Sequence, residues 1–226
     1  MRVVVIRHHE EDSAGFIGDA FAARGAQLSS LLFPKEGPLP GLDGVAHIVM
    51  LGSTCSVYDK GEARAWIDEE LAWLRRADVA GVPVLGICFG AQVLAAAFGG
   101  TVEHAGRQEI GWVMVDSADP GLIPPGPWLE FHHDRCRPPA QATVLARNDL
   151  GVQAYRFGRH LAVQFHPEVD GAQFRLWLDA GGRKEIEEAG LDPERLLAET
   201  IAEEPGAAAR AARLVASALR VAASGS

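Results

Sequence analysis

The chain has 226 residues, 48% of them hydrophobic and 23% charged, enough to bury a substantial core as one domain with an extension or as two small domains. Its net charge of -9 argues against nucleic acid as a partner, because phosphate contacts need clustered Lys and Arg, and its apolar stretches are far shorter than a membrane span. Cys55, Cys88 and Cys136 are odd in number, widely spaced and without a C-x-x-C pair, which argues against a disulfide framework or a zinc ribbon and for a reducing, cytoplasmic setting.

Arg2–Arg7 (RVVVIR) predicts a strand, leading into a charged cluster rather than a signal sequence. Residues 13–24 predict a helix that stops at Gly25. A second buried strand is expected over residues 47–51, ending in the polar turn Gly52-Ser53-Thr54-Cys55-Ser56. Ile67, Leu71 and Leu74 recur at helical spacing and mark an amphipathic helix over residues 63–77. The uncharged run from Val82 to Ile87 then suits a strand buried on both faces, and strand alternating with helix implies a parallel sheet covered on both sides.

Gly86-Ile87-Cys88-Phe89-Gly90 breaks that strand, and Ala91-Gln92-Val93-Leu94 opens a helix. Flanking glycines permit a sharp strand-to-helix turn that lifts the central residue outward at a helix N-terminus, where free N–H groups favour a thiolate. A buried structural cysteine is the plainer reading of any single Cys. The strand-turn-helix setting favours a nucleophile.

Beyond residue 101 the pattern turns to alternation, with strands expected near 110–115, 142–146, 152–157 and 161–165, and a loop at 120–127. The stretch AVQFHPEV, residues 162–169, ends the last of these. On an extended backbone His166 and Glu168 emerge on one face, and Pro167 holds the chain extended between them. Glu168 can then set the His166 tautomer and leave the other ring nitrogen for Cys88. Past about residue 182 the chain reads as helical, with Pro193 and Pro205 each placed to start a helix. Leu214, Val215 and Leu219 give the last helix an apolar edge that predicts packing on the same subunit.

Gly86 through Gln92 together with Gln164-Phe165-His166-Pro167-Glu168 resembles the class I glutamine amidotransferases, the triad glutaminases, over roughly residues 2–180. The likeness is nearest to the glutaminase domain of GMP synthase and its stand-alone relatives. Leu51 through Asp59 (LGSTCSVYD), Glu109-Ile110-Gly111-Trp112 and Phe131-His132-His133-Asp134 resemble three further family stretches. The resemblance implies a flavodoxin-like α/β fold with a mixed, mostly parallel sheet over residues 1–180 and a helical extension over 181–226. It implies Cys88 as nucleophile, His166 as proton shuttle and Glu168 as its orienter. Oxyanion donors are then the N–H groups of Ser53 and Phe89, while Gly52 and Gln92 contact bound glutamine. Ammonia released from glutamine would go to a separate ATP-dependent synthase or acceptor.

Where the family usually has Gly-Gly-Pro, this chain has Gly52-Ser53-Thr54, so the second oxyanion donor lacks the backbone freedom of glycine. His133 and Cys136 stand where relatives often carry Gly and an aromatic, and both are expected to reshape the pocket mouth. His8-His9-Glu10-Glu11-Asp12 and His132-His133-Asp134 lack metal-ligand spacing and read as solvated loop or pocket rim; no metal and no cofactor are expected. No G-x-G occurs, and none of Lys35, Lys60 or Lys184 precedes Ser or Thr, so neither a dinucleotide fingerprint nor a phosphate loop is present. Three functions stay open: a glutaminase serving a separate synthase, a γ-glutamyl hydrolase or peptidase acting on a larger amine or peptide, and a non-catalytic scaffold on the same fold.

Overall fold

The computed structural model of the chain describes residues 1–225. Ten strands are formed among them: β1 (Arg2–Arg7), β2 (Gln27–Leu32), β3 (His47–Met50), β4 (Val84–Ile87), β5 (Thr101–Met114), β6 (Asp116–Ser117), β7 (Pro127–Arg137), β8 (Thr143–Arg147), β9 (Val152–Phe157) and β10 (His160–Val163). The helices are α1 (Gly15–Ala22), α2 (Glu62–Val79), α3 (Phe89–Ala97), α4 (Gly171–Trp177), α5 (Arg183–Glu188) and α6 (Pro193–Ser224).

Eight strands build one sheet in the order β2-β1-β3-β4-β10-β9-β8-β6. The first five run parallel, and β9, β8 and β6 continue the sheet antiparallel. That is the flavodoxin-like, mostly parallel arrangement. The physical basis is plain in β1, β3 and β4, whose central residues are buried on both faces and uncharged, as strands covered by crossover helices must be. One core cluster lies on each face. Val3, Val5, Val49, Leu85 and Val163 meet α1 and α6 on one side, and Val4, Ile48, Val84 and Ala162 meet α2 and α3 on the other.

Three features differ from expectation. A strand that no expectation covered, Gln27–Leu32, pairs with β1 at the sheet edge ahead of the buried strand at 47–50; its first four residues are exposed, so no burial pattern marked it. A separate antiparallel pair, β5 with β7, forms from residues whose alternation is broken by a register shift between His104 and Glu109. Finally, Pro205 does not start a helix. It lies inside the 32-residue α6, which begins at Pro193 with Asp192 capping the N–H groups of Glu194 and Arg195.

The C-terminal half of α6 is part of the first core. Ala211, Leu214, Val215 and Ala218 are buried with Val3, Phe21 and Leu161, while Leu219 packs at the margin. The extension therefore covers the sheet of its own chain as the apolar edge predicted; Ser226, its last residue, lies outside the described residues.

Candidate active site

Cys88 sits between β4 and α3 with φ 52 and ψ -110, the one non-glycine residue at positive φ among the described residues. This is close to the first central position of a type II′ turn, which glycine adopts freely and a Cβ-bearing residue adopts at a cost of about 1–3 kcal/mol. The flanking glycines play a different part from the one their sequence suggested. A Cβ on Gly86 would stand 2.6 Å from the Gly90 carbonyl oxygen, and one on Gly90 would stand 2.1 Å from that of Met50. They are needed for close packing of strand on helix, and the strained torsion falls on the cysteine itself. Gly90→Ala should therefore cost about 3 kcal/mol of stability in urea denaturation, because both clashing groups are backbone.

The turn is tied to its neighbour strand. β10 runs parallel beside β4, with Val163 opposite Ile87, and the Cys88 N–H donates to the Val163 carbonyl at 2.9 Å. Three residues on, His166 donates its N–H to the Leu129 carbonyl of β7 at 2.8 Å. The strand has ended by then, so His166 and Glu168 meet in a turn around Pro167 rather than on extended chain. The turn still joins them: His166 Nδ1 donates to Glu168 Oε1 at 2.7 Å, and both side chains are buried. Cys88 and the ring share a neighbour, Gly52, and line one cavity together. Burial disfavours the imidazolium, but Glu168 and Cys88 outweigh it, and the His166 pKa rises well above its ordinary value. Trp177 holds the ring edge-on at 4.9 Å between centroids. The N-terminus of α1 closes over the same turn, where the Phe16 N–H donates to the Glu168 carbonyl at 3.0 Å.

Gly52 lies against both Cys88 and His166, since a Cβ there would stand 3.1 Å from His166 Cε1 and 3.8 Å from Cys88 Cβ. The departures from the family turn have physical counterparts. The Thr54 N–H, which a proline would lack, donates to His9 Nε2 at 3.2 Å, and Ser53 Oγ accepts the Cys55 N–H at 3.1 Å. Neither the Ser53 N–H nor the Phe89 N–H finds a backbone acceptor among the described residues.

Two cavities converge on Cys88. One, of about 280 Å³, is lined by Ser53, Gln92, Ile110, His132 and His133; Gln92 is buried there and donates to Gln164 Oε1 at 3.1 Å. The other, of about 450 Å³, is lined by His166, Gly52, Asp12, Phe131, Trp177 and Glu185. His133 lines the first of these cavities, whereas Cys136 turns into the core beside Tyr155, and burial pushes its thiol up to about 12.

The stretch His132-His133-Asp134, read as solvated loop or pocket rim, lies instead on β7 with His132 and Asp134 buried, and the polar atoms of Glu109, Glu130 and His132 lie within 4.8 Å of one another, close enough to hold a metal ion. His132 already offsets part of the carboxylate charge. Its Nδ1 donates to the Asp134 carbonyl at 2.8 Å and its Nε2 to Glu109 Oε2 at 3.1 Å, while Glu130 Oε2 lies at the same distance but off the N–H direction. Burial disfavours the charged ring, yet the two carboxylates raise its pKa to about 10. That contribution to stability is complete below about pH 6.5 and is lost as pH rises through about 10. His132→Gln should lower stability by about 3 kcal/mol at neutral pH, and the gap from the parent should narrow in urea titrations toward pH 10.

His8, read as loop or pocket rim, is also placed otherwise. Its side chain is 3% exposed, with Nε2 2.8 Å from the fully buried Glu70 Oε1 and Nδ1 2.8 Å from the Gly52 carbonyl oxygen. One signal was available: Glu70 shares a helix face with Ile67, Trp73 and Leu74, and a carboxylate on a buried face requires a partner.

No helix among the described residues is long and apolar enough to cross a membrane. A family profile described as glutamine amidotransferase class-I matches residues 17–177. A crystal structure of a glutamine amidotransferase from Thermotoga maritima superposes with a TM-score of 0.87 at 26% identity, covering 98% of this chain and 97% of that one. A glutamine amidotransferase from Methylobacillus flagellatus shares the fold, with a TM-score of 0.86 at 24% identity over 97% of this chain and 94% of its own. Curated relatives named "GMP synthase [glutamine-hydrolyzing]" include one from Aeropyrum pernix, 38% identical over 102 residues, which are 42% of this chain and 20% of the relative. One from Streptomyces avermitilis is 33% identical over 159 residues, 65% of this chain and 29% of the relative. The chain thus matches between 20% and 29% of the length of these two relatives.

Proposed function

The chain belongs to the glutamine amidotransferase class-I family, and on that footing we propose that it hydrolyses the γ-amide of glutamine through a γ-glutamyl thioester on Cys88. The observation that carries this reading is the buried 2.7 Å contact of His166 Nδ1 with Glu168, on a ring that lines one cavity with a cysteine held at a strained strand-to-helix turn. In the first half-reaction Cys88 Sγ adds to the amide carbon, and the oxyanion accepts from the Ser53 and Phe89 N–H groups. His166 gives its Nε2 proton to the amine as the C–N bond breaks, releasing ammonia. In the second, water adds to the thioester, His166 takes its proton, and glutamate leaves with Cys88 restored. Each oxyanion donor contributes about 3 kcal/mol of transition-state stabilisation. Gly52 leaves room between sulfur and ring, and Gln92 holds the γ-glutamyl side.

The relatives are named for glutamine hydrolysis joined to GMP synthesis. We assign to this chain the hydrolytic part alone, residues 1–180 carrying the site and the helical extension bracing it, with ammonia passing to a separate ATP-dependent subunit in the cytoplasm.

A second reading, hydrolysis of a larger γ-glutamyl amine or peptide, is favoured by the cavity of about 450 Å³ on the His166 side of Cys88, where the leaving group departs. Glutamate release from glutamine, from γ-glutamyl-p-nitroanilide and from γ-glutamyl dipeptides separates the two. Release from glutamine supports the first reading, and release only from the larger substrates supports the second. Release from none overturns both in favour of a scaffold.

A further inference from the structure

His8 follows β1 at the carboxyl end of the sheet, the edge at which open α/β folds bind ligands. Its ring is packed edge-on against Phe89 at 5.1 Å and tilted against Trp66 at 5.5 Å, so its orientation is held by stacking as well as by hydrogen bonds. Both of its polar partners, the Gly52 carbonyl and the Glu70 carboxylate, are acceptors, so both ring nitrogens donate.

The Gly52–Ser53 peptide is trans, and in a trans peptide the C=O and the following N–H point in opposite directions. Anchoring the Gly52 oxygen on His8 therefore turns the Ser53 N–H to the opposite edge of the peptide, away from His8. Gly52 itself lies against His166 and Cys88, and Ser53 lines both cavities that open at the sulfur. Phe89, whose N–H is the other donor, packs on the same imidazole ring.

We infer that His8, held by Glu70, is a positioning residue that locks the Gly52–Ser53 peptide with its N–H turned to Cys88 and so preforms the second half of the oxyanion hole. It acts through the peptide and touches no reacting atom. The arrangement matters in this chain because neither Ser53 nor Thr54 restricts the turn as a proline would. The His9–Thr54 hydrogen bond braces the same turn from outside, at an exposed site where water competes. The inference rests on the amidohydrolase reading above.

The test uses two substitutions that each keep a polar side chain in the site. In His8→Asn the amide nitrogen takes the place of Nδ1 and still donates to Gly52; in His8→Gln it takes the place of Nε2 and donates only to Glu70. Glutamate release is compared with alkylation of Cys88 by iodoacetamide, a displacement at saturated carbon that forms no oxyanion. His8→Gln should lower kcat by roughly 10²–10³-fold, the effect of losing one oxyanion donor, with the alkylation rate and KM little changed, while His8→Asn keeps most of the rate. Crystal structures of both variants give a readout that needs no turnover: the Gly52 carbonyl faces residue 8 in the Asn variant and turns away in the Gln variant. A Gln variant with unchanged kcat, alkylation falling in step with kcat, or an unmoved Gly52 carbonyl in the Gln variant would each overturn the inference. A parent enzyme inactive on every γ-glutamyl substrate would instead overturn the amidohydrolase reading, and the crystal structures would still decide the orientation of the peptide.

Discussion

Cys88→Ala will abolish γ-glutamyl hydrolysis, a loss of roughly 10⁵–10⁶-fold in kcat, since the nucleophile and its partners act as a unit. Its urea midpoint should stay close to the parent's, because alanine keeps the Cβ and with it the strained torsion. Cys88→Gly will be equally inactive and yet more stable. At φ 52 and ψ -110 glycine is unstrained, so relieving the turn should add about 1 kcal/mol. The three proteins compared in glutamate release and in denaturation thus check two things together. An inactive but stabilised Gly variant identifies a residue whose conformation is maintained for chemistry at the expense of stability. Retention of activity by Cys88→Ala would remove Cys88 from the mechanism. Cys55 and Cys136 should be replaceable by Ser and Ala without loss of kcat, because Cys136 faces the core and burial holds the Cys55 thiol above its ordinary range, away from the thiolate.

Glu168→Gln should lower kcat by about 10³–10⁴-fold, less than loss of the nucleophile, because His166 remains while its charge is no longer balanced. The pH dependence carries more information than the rate. Although burial disfavours a charged His166, Glu168 is the largest influence raising its pKa. The step that protonates the departing amine fails as pH rises through that raised value, so the alkaline limb of the parent should lie well above the ordinary histidine range. In Glu168→Gln it should move to lower pH. Stability follows with the same sign. The His166–Glu168 contribution is complete below about pH 6.5 and is lost as pH rises through the raised pKa, so the parent's advantage over Glu168→Gln should shrink in alkali. An alkaline limb unmoved by the substitution would show that Glu168 does not set the protonation of His166.

Much of this site was legible because its grammar is local. A cysteine at a tight strand-to-helix turn has glycines within two residues of it, and an imidazole–carboxylate pair fits in three residues around a proline. The parallel strands were legible for a similar reason, as burial on both faces leaves an uncharged run. What escaped had weak local signals. β2 is an exposed edge strand paired to β1 by backbone hydrogen bonds, and its side chains carry no pattern of burial. Pro205 reads as a helix start, yet the burial of Thr200, Ala207, Ala211 and Leu214 along one face keeps α6 continuous through it.

The amino-acid order by itself determined that Cys88 stands at a strand-to-helix turn and that His166 and Glu168 flank one proline, because short-range sterics and periodicity act over a few residues. Only the tertiary structure decided which buried charges answer one another. His8 meets Glu70 across 62 residues of chain, and His132 meets Glu109 across 23. A charge removed from water must find its counterpart wherever folding brings one, and no spacing along the chain encodes that meeting.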